Sequence, residues 1–121
     1  MPEAPRKRPE GAVVLHEFRS HLRARPRPVF DSIASRFDPG EGAQSLYTAD
    51  SSAWVVIVQG GHWYRAEFRV VPDHSGSTVE HALVSVAKNP KRLGRRANRR
   101  VIDAAPAEFD RLMSSLRAEL E

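Results

Sequence analysis

The stretch AWVVIVQGGHWYRAEFRVVPDHSGSTVEHALVSVAK, residues 53–88, decides the fold, because two turns divide it into three segments of strand type. Gly60-Gly61 is typical of a two-residue hairpin turn, which requires positive φ angles. Residues 73–76 supply the Asp, Ser and Gly that favour a second turn. The segments between the turns are rich in Val, Ile and aromatic residues, so the stretch predicts an antiparallel meander.

Together the two turns predict a register for all three strands. The predicted pairs are Ile57 with Tyr64, Val55 with Ala66, Val70 with Val79, Phe68 with His81, Ala66 with Leu83, Tyr64 with Ser85 and, on the opposite face, Arg69 with Glu80. Both hairpins then place their apolar side chains on the same side of the sheet. Because a shift of one residue would destroy this agreement, we predict one continuous apolar face.

The residues before the meander predict one more strand and a helix. Residues 12–22 alternate in polarity, and the side chains that share the predicted inner face are Val14, His16, Phe18, Ser20 and Leu22. Pro26 and Pro28 end this strand, and Pro28 suits the first turn of a helix. That helix carries its apolar residues at helical spacing, namely Val29, Phe30, Ile33 and Phe37, and residues 38–40 (Asp-Pro-Gly) end it. A short strand at Leu46 and Tyr47 follows.

The C-terminal third of the chain has helical periodicity. After Pro90, apolar residues recur at steps of three and four: Leu93, Ala97, Val101, Ala105, Phe109, Leu112, Leu116 and Leu120. Pro106 interrupts this stripe, which leaves either one kinked helix or two helices. The stripe predicts that the helix packs on the sheet, so the fold class is α+β.

Composition bounds the domain organisation and excludes several classes of chemistry. A chain of 121 residues that is 40% hydrophobic supports one domain, which we place at 12–121. Residues 1–11 (MPEAPRKRPEG) are charged and rich in proline, so we expect a disordered basic tail without a secretory signal. No apolar run is long enough to span a membrane. The absence of cysteine excludes disulfides and thiolate catalysis and fits a cytoplasmic location.

The basic residues leave two interpretations open. The net charge is +4, with sixteen Arg and three Lys, which indicates either phosphate contact or the codon bias of a GC-rich genome. Between Lys88 and Arg100 the chain has seven basic residues and no acidic one, although the start of a helix favours acids. An RNA- or ribosome-associated module is therefore an alternative function. It would use Lys91, Arg92, Arg95, Arg96, Arg99 and Arg100.

Three segments carry a resemblance to a known superfamily. They are VLHEFRSHL (14–22), ARPRPVFDSIASRF (24–37) and RRVIDAAPAEFDRLMSSLRAEL (99–120). In this order, and with Pro28-Val29-Phe30 and Ile33 opening the first helix, the chain resembles the START-like helix-grip proteins, also called SRPBCC or polyketide cyclase/dehydrase-like. The resemblance covers about residues 12–120 and rests on apolar spacing.

The resemblance implies a curved antiparallel sheet wrapped around the long C-terminal helix, with a pocket between them. It also implies binding of a small apolar or amphipathic molecule. Residues 38–52 leave room for at most one strand, where the superfamily usually has a small helix and two strands. We therefore expect a shortened domain with a reduced cavity.

Polar residues on the predicted apolar face are the candidates for ligand contact. The candidate pocket residues are His16, Ser20, Tyr64, Phe68, His81, Leu83, Ser85, Phe109 and Met113. Either the polar ones bind a ligand, or they bond to each other and to the backbone. His81 beside Tyr64 could also act as an acid or base, so a cyclase- or dehydratase-like enzyme is a further alternative.

Other sites find no support in the sequence. There is no HExxH or G-x-S-x-G motif, and no helix follows Gly60-Gly61, so we predict no metal, no cofactor and no phosphate loop. Trp54 and Trp63 are predicted on the outer face of the sheet. They indicate either a surface for a second copy of the chain or aromatic rings covered by another element.

Overall fold

The computed structural model describes residues 2–87 and 99–121. The described residues form five strands and two helices, in the order β1 (Val13–Leu22), α1 (Pro26–Phe37), β2 (Leu46–Asp50), β3 (Val55–Gly60), β4 (Tyr64–Asp73), β5 (Gly76–Ser85) and α2 (Arg99–Leu120). The strands form one open, curved antiparallel sheet with the order β1-β5-β4-β3-β2. This arrangement of a curved sheet with a long C-terminal helix confirms the predicted α+β fold class.

The hydrophobic core lies between the inner face of the sheet and the two helices. Its buried residues come from every layer: Leu22, Val29, Phe30, Ile33, Val56, Ala66, Phe68, Val70, Val79, Phe109, Met113 and Leu116. Each large apolar side chain buried in this way stabilises the fold by about 1.5–3 kcal/mol. The apolar stripes of both helices therefore face the same side of the sheet, which we call the inner face.

Helix α1 begins at Pro26, two residues before the predicted start. Arg25 is extended, with φ −66° and ψ 154°, because the residue before a proline avoids the helical region. Pro26 then occupies the first helical position, where a missing N–H costs nothing. The helix ends at Phe37, as predicted, and the N–H of Asp38 bonds to the Ala34 carbonyl at 3.1 Å.

The predicted register of the β4–β5 hairpin is confirmed throughout. Phe68 pairs with His81, and Arg69 pairs with Glu80. The hairpin is tighter than expected, because Asp73 and Gly76 are themselves paired. Gly76 is required there, since a Cβ atom at this position would collide with the carbonyl oxygen of Leu22.

The predicted register of the β3–β4 hairpin is wrong. The turn contains the three residues 61–63, so Val56 pairs with Phe68 and Val58 with Ala66. Val55 and Ile57, predicted on the inner face, consequently lie on the outer face. The sequence misleads here because β3 is apolar on both faces, and alternation cannot specify the register of such a strand.

A bulge in β1 changes which of its residues face inward. Val14 pairs with Val84 and His16 with Leu83, so Leu15 is an extra residue between the two pairs. The bulge reverses the alternation at that point. The prediction that Val14 shares the inner face is therefore wrong, whereas His16, Phe18, Ser20 and Leu22 lie on it as expected.

The outer face of the sheet is covered in part by the N-terminal segment, residues 2–12. The Tyr47 N–H donates to the Pro2 carbonyl at 3.1 Å, and the Thr48 hydroxyl donates to the Ala4 carbonyl at 2.8 Å. Ala4 is only 3% exposed. The expected disordered tail is thus a segment docked on the sheet, and the covered outer face explains why β3 is apolar on both sides.

The two tryptophans do not form an exposed aromatic surface. Trp63 is 6% exposed and packs in a second cluster with Leu83, Ala87 and Ala105. Trp54 is half-buried and meets the ring of Phe30 edge-on, with centroids 5.6 Å apart. The prediction that both rings lie on the outer face is wrong, and the alternative that other elements cover them fits, because Trp54 packs on Phe30 of α1 and Trp63 on Ala105 of α2.

Helix α2 continues through Pro106 as one helix. Pro106 has no N–H, so the carbonyl of Ile102, four residues earlier, has no helical donor. His16 of β1 lies 2.8 Å from this carbonyl through Nε2 and supplies the missing hydrogen bond. Within residues 2–87 and 99–121, neither helix is long and apolar enough to cross a bilayer.

Candidate functional site

An open cavity of about 680 Å³ lies between α2, the C-terminal end of α1 and the inner face of the sheet. We call it the inner cavity. Its lining residues are Arg36, Phe37, Tyr64, Phe68, His81, Arg100, Val101, Ala104, Glu108, Phe109, Arg111, Leu112 and Ser115. Ligand pockets in proteins usually measure about 300–1,000 Å³. Although we expected a reduced cavity, the inner cavity is therefore large enough for a small molecule.

Aromatic rings form one wall of the inner cavity. The imidazole of His81 lies parallel to the ring of Phe68, with centroids 4.3 Å apart and an interplanar angle of 5°. The two residues are cross-strand neighbours, so the sheet itself holds them in contact. Phe109 stacks on His81 at 5.8 Å, and Phe37 lies 4.4 Å from Phe68. The wall therefore consists of aromatic rings packed against one another, and His81 is the one polar ring among these four.

The hydrogen bonding of His81 determines the position of its proton. Nδ1 lies 3.0 Å from the backbone carbonyl of Glu67. A carbonyl only accepts, so Nδ1 carries the hydrogen. Burial lowers the pKa of His81 below its usual 6.5, although the Glu67 backbone bond and the Glu67 carboxylate act in the opposite direction. The ring is therefore neutral at pH 7, and Nε2 keeps its lone pair.

The lone pair on Nε2 of His81 remains available. In the part of the chain that the structure describes, Nε2 has no hydrogen-bond partner. No side-chain nitrogen or oxygen among those residues is both fully buried and unpaired. Among residues 2–87 and 99–121, Nε2 is therefore not sealed off, and His81 lines the inner cavity. The site presents a hydrogen-bond acceptor in an apolar wall.

Tyr64 is a second polar residue of the inner cavity. Burial raises the pKa of its hydroxyl, so the group stays protonated at neutral pH and can donate a hydrogen bond. Tyr64 precedes Phe68 by four residues on β4, which places it about 13 Å away along the strand. Tyr64 and His81 therefore belong to different parts of the cavity wall.

The mouth of the inner cavity is predominantly basic. Three arginines and one glutamate line it: Arg36, Arg100, Arg111 and Glu108. Arg111 pairs with Glu108 at 2.6 Å, and Arg36 pairs with Glu119 at 3.2 Å. Arg100 is exposed at the start of α2. Two of the three arginines are therefore neutralised within the chain, and Arg100 leaves an excess of one positive charge, which favours a ligand whose solvent-facing end is neutral or anionic.

Four of the nine predicted pocket residues line the inner cavity, namely Tyr64, Phe68, His81 and Phe109. Three other predicted residues are polar and bond elsewhere in the fold. Ser20 accepts a hydrogen bond from Nη2 of Arg117 at 2.7 Å, His16 bonds to Ile102, and Ser85 accepts one from the N–H of Ala87 at 3.4 Å.

The remaining two, Leu83 and Met113, are 2% and 1% exposed in the two apolar clusters. The five residues that do not line the cavity therefore have structural contacts of their own.

Sequence reasoning missed most of the cavity residues that lie on the helices. Phe37 and Leu112 belong to the predicted apolar stripes of the two helices, so the sequence did indicate that both are buried. Each apolar stripe has two flanks, one packed in the core and one facing the cavity. The angle at which the helix crosses the sheet decides which flank is which. That angle is a property of the packed fold, and the pattern of a single helix does not contain it.

A second space of about 600 Å³ lies between the N-terminal segment and the outer face. We call it the outer groove. Its floor contains Val55 and Ile57, and ion pairs flank it: Arg8 with Glu67 at 2.8 Å and Arg19 with Glu80 at 3.8 Å. The charges of these two pairs are already neutralised within the chain.

The predicted nucleic-acid residues lie mostly outside the described part of the chain. Lys91, Arg92, Arg95 and Arg96 fall within residues 88–98. Arg99 and Arg100 begin α2 and are exposed, and Arg99 lies 3.7 Å from Asp103. Among residues 2–87 and 99–121, no three His, Asp or Glu side chains lie close enough to hold a metal ion.

Comparisons with known proteins add no further assignment. No family model matches the chain, and neither the curated proteins nor the solved structures contain a match.

Proposed function

We propose that this protein binds one small, largely apolar molecule in the inner cavity. The observation that carries the proposal is an open space of about 680 Å³ walled by the stacked rings of Phe68, His81 and Phe109. A core that packed only for stability would be expected to fill such a space. The resemblance to START-like helix-grip proteins is itself a prediction, and it points to the same class of function.

The expected affinity follows from the area that a ligand can bury. A molecule that buries about 300 Å² of apolar surface gains about 7.5 kcal/mol at 25 cal/mol per Å². Loss of translational and rotational freedom offsets several kcal/mol of this gain, and hydrogen bonds to the polar residues add to it. The net gain of about 4–5.5 kcal/mol corresponds to dissociation constants of about 0.1–1 mM.

A substitution that fills the cavity tests the proposal. Leu112→Trp places a large ring in the inner cavity from α2, and Asp110→Trp adds the same ring on an exposed position of the same helix. Ligands would be found by native mass spectrometry of the protein purified from its host and by thermal-shift screening of apolar compounds. We expect Leu112→Trp to lose binding and Asp110→Trp to retain it. Equal binding by the two variants would contradict the proposal.

An enzyme of the cyclase or dehydratase type is the second candidate. The observation that favours it is the neutral imidazole of His81, whose Nε2 could accept a proton from a bound substrate. His81→Phe would then abolish turnover of the identified ligand while leaving its binding measurable. Turnover that survives this substitution would leave binding alone as the function. The RNA-binding alternative stays a prediction.

A further inference from the structure

The tautomer of His81 restricts the ligand that the inner cavity accepts. Nδ1 donates its hydrogen to the Glu67 carbonyl, and that bond is part of the packing between β4 and β5. In this tautomer Nε2 can only accept a hydrogen bond. The opposite tautomer would place two lone pairs, on Nδ1 and on the Glu67 oxygen, against each other at 3.0 Å. The fold therefore keeps Nε2 as an acceptor.

An acceptor inside an apolar wall discriminates strongly between ligands. When an apolar group covers Nε2, the nitrogen loses contact with water and gains no hydrogen bond, at a substantial cost. A ligand that brings a hydroxyl or an N–H avoids that cost. A ligand that places a carbonyl or an ether oxygen at Nε2 brings the lone pairs of that oxygen against the lone pair of the nitrogen, and the two repel each other.

The rings around His81 favour one kind of ligand in the same region. Phe68 and His81 are within 5° of parallel and pack face to face, and Phe37 and Phe109 line the cavity beside them. Aromatic rings contact one another favourably in offset-stacked and edge-to-face arrangements, so this lining favours an aromatic ligand.

We propose that the ligand of the inner cavity is an aromatic molecule with a hydroxyl or N–H group that donates a hydrogen bond to Nε2 of His81. This inference rests on the proposed function, and it specifies the chemical class of ligand. The assignment concerns Nε2 alone, because Tyr64 lies about 13 Å along the strand and can both donate and accept.

The test compares two probes of the same ring system. Isothermal titration calorimetry measures binding of 2-naphthol, which has a hydroxyl donor, and of 2-methoxynaphthalene, which has only an acceptor oxygen. The proteins are the wild type, His81→Phe and Tyr64→Phe. The phenyl ring that His81→Phe introduces retains the stacking, and Tyr64→Phe is the matched control because it removes a different polar group from the same cavity.

We expect wild type to bind 2-naphthol at least about tenfold more tightly than the ether. His81→Phe should remove this preference, and Tyr64→Phe should keep it. Equal binding of the two probes by wild type would overturn the inference and leave the proposed function standing. A preference that survives in His81→Phe would overturn it as well. If wild type binds neither probe, the ligand class is wrong, and the Leu112→Trp experiment still decides the function.

A second measurement does not depend on the variants folding. The ¹⁵N chemical shifts of the His81 imidazole in wild type report which nitrogen carries the hydrogen. We expect a protonated Nδ1 and an unprotonated Nε2 at pH 7. An Nε2–H tautomer would overturn the inference whatever the calorimetry shows.

Discussion

Arg65 shows at the scale of one residue how the outer face of the sheet is held together. Its guanidinium has no exposed surface, and its donors reach three acceptors: Glu67 at 2.7 Å, Gln59 at 2.9 Å and the Arg6 carbonyl at 3.3 Å. A buried guanidinium is tolerated only when its donors are paired in this way. Glu67 also pairs with Arg8. Burial raises the pKa of Glu67, but the bonds from Arg8 and Arg65 outweigh burial and keep that pKa below its usual value.

Replacing Arg65 by Met should therefore destabilise the protein substantially. The substitution leaves Gln59 and Glu67 without a buried partner, and we expect the free energy of unfolding to fall by about 2–4 kcal/mol. Arg8→Met is the control, because Arg8 is partly exposed and its ion pair should contribute less than about 1 kcal/mol. Urea denaturation at pH 7 measures both. Similar losses for the two variants would contradict the role given to Arg65.

His81 should make the stability of the protein sensitive to acid. Burial lowers its pKa in the folded state, so below about pH 6.5 the unfolded chain takes up a proton that the folded chain does not. The free energy of unfolding then falls as the pH decreases, until the lowered pKa is reached. We expect His81→Phe to lose less stability than wild type between pH 7 and pH 5, and Tyr64→Phe to lose as much as wild type. The same loss in all three proteins would show that His81 contributes nothing to it.

At the scale of secondary-structure elements, α2 is tied to β1 by a break in its own hydrogen bonding. Pro106 leaves the Ile102 carbonyl unpaired within the helix, and His16 bonds to it from the sheet. Farther along α2, Arg117 bonds to Ser20 and to the His21 carbonyl. Three hydrogen bonds to one strand thus fix the helix that forms a wall of the inner cavity.

A double-mutant cycle tests the link between His16 and Pro106. In wild type we expect His16→Ala to cost about 1–2 kcal/mol, because it leaves the Ile102 carbonyl without a donor. Pro106→Ala restores a helical N–H for that carbonyl, so the same His16 substitution should cost at least about 0.5 kcal/mol less in that background. Chemical denaturation of the four proteins gives the coupling energy. Additive losses would mean that His16 does not act through this carbonyl.

At the scale of the whole molecule, the sheet stays open, and the two helices of the described residues lie over part of its inner face. The part of this face beside Tyr64, Phe68 and His81 borders the inner cavity, and the N-terminal segment lies on the opposite face, where the outer groove remains. Residues 2–87 and 99–121 therefore leave space on both faces of the sheet.

A ligand in this space should stabilise the entire fold, because only the folded chain has the cavity. At a free concentration of 100 times its dissociation constant, a ligand should raise the free energy of unfolding by about 2.7 kcal/mol. Differential scanning fluorimetry should show an increase of several degrees in the melting temperature, and Leu112→Trp should show none. Binding that saturates without a shift in wild type would mean that the unfolded chain binds the ligand as well, which would contradict a site made only by the fold.

The amino-acid sequence determined the strand and helix content of this protein and the register of its last hairpin. Polar and apolar residues alternate in β4 and β5, so each strand has one polar and one apolar face. Only one register of the hairpin brings the two apolar faces together, and it pairs Phe68 with His81. The candidate residues Tyr64, Phe68 and His81 followed from the same alternation, and Phe109 followed from the apolar stripe of α2.

Only the tertiary structure decided the register of β3, the place of the N-terminal segment and the outline of the inner cavity. The run Val55–Val58 is apolar on both sides, so its register depends on the turn that Gly61 and the buried Trp63 form. Residues 2–12 are held by hydrogen bonds and ion pairs to distant strands, which local composition does not encode. The cavity exists because two helices cross a curved sheet without covering it, and that geometry is set by the packing of all the elements together.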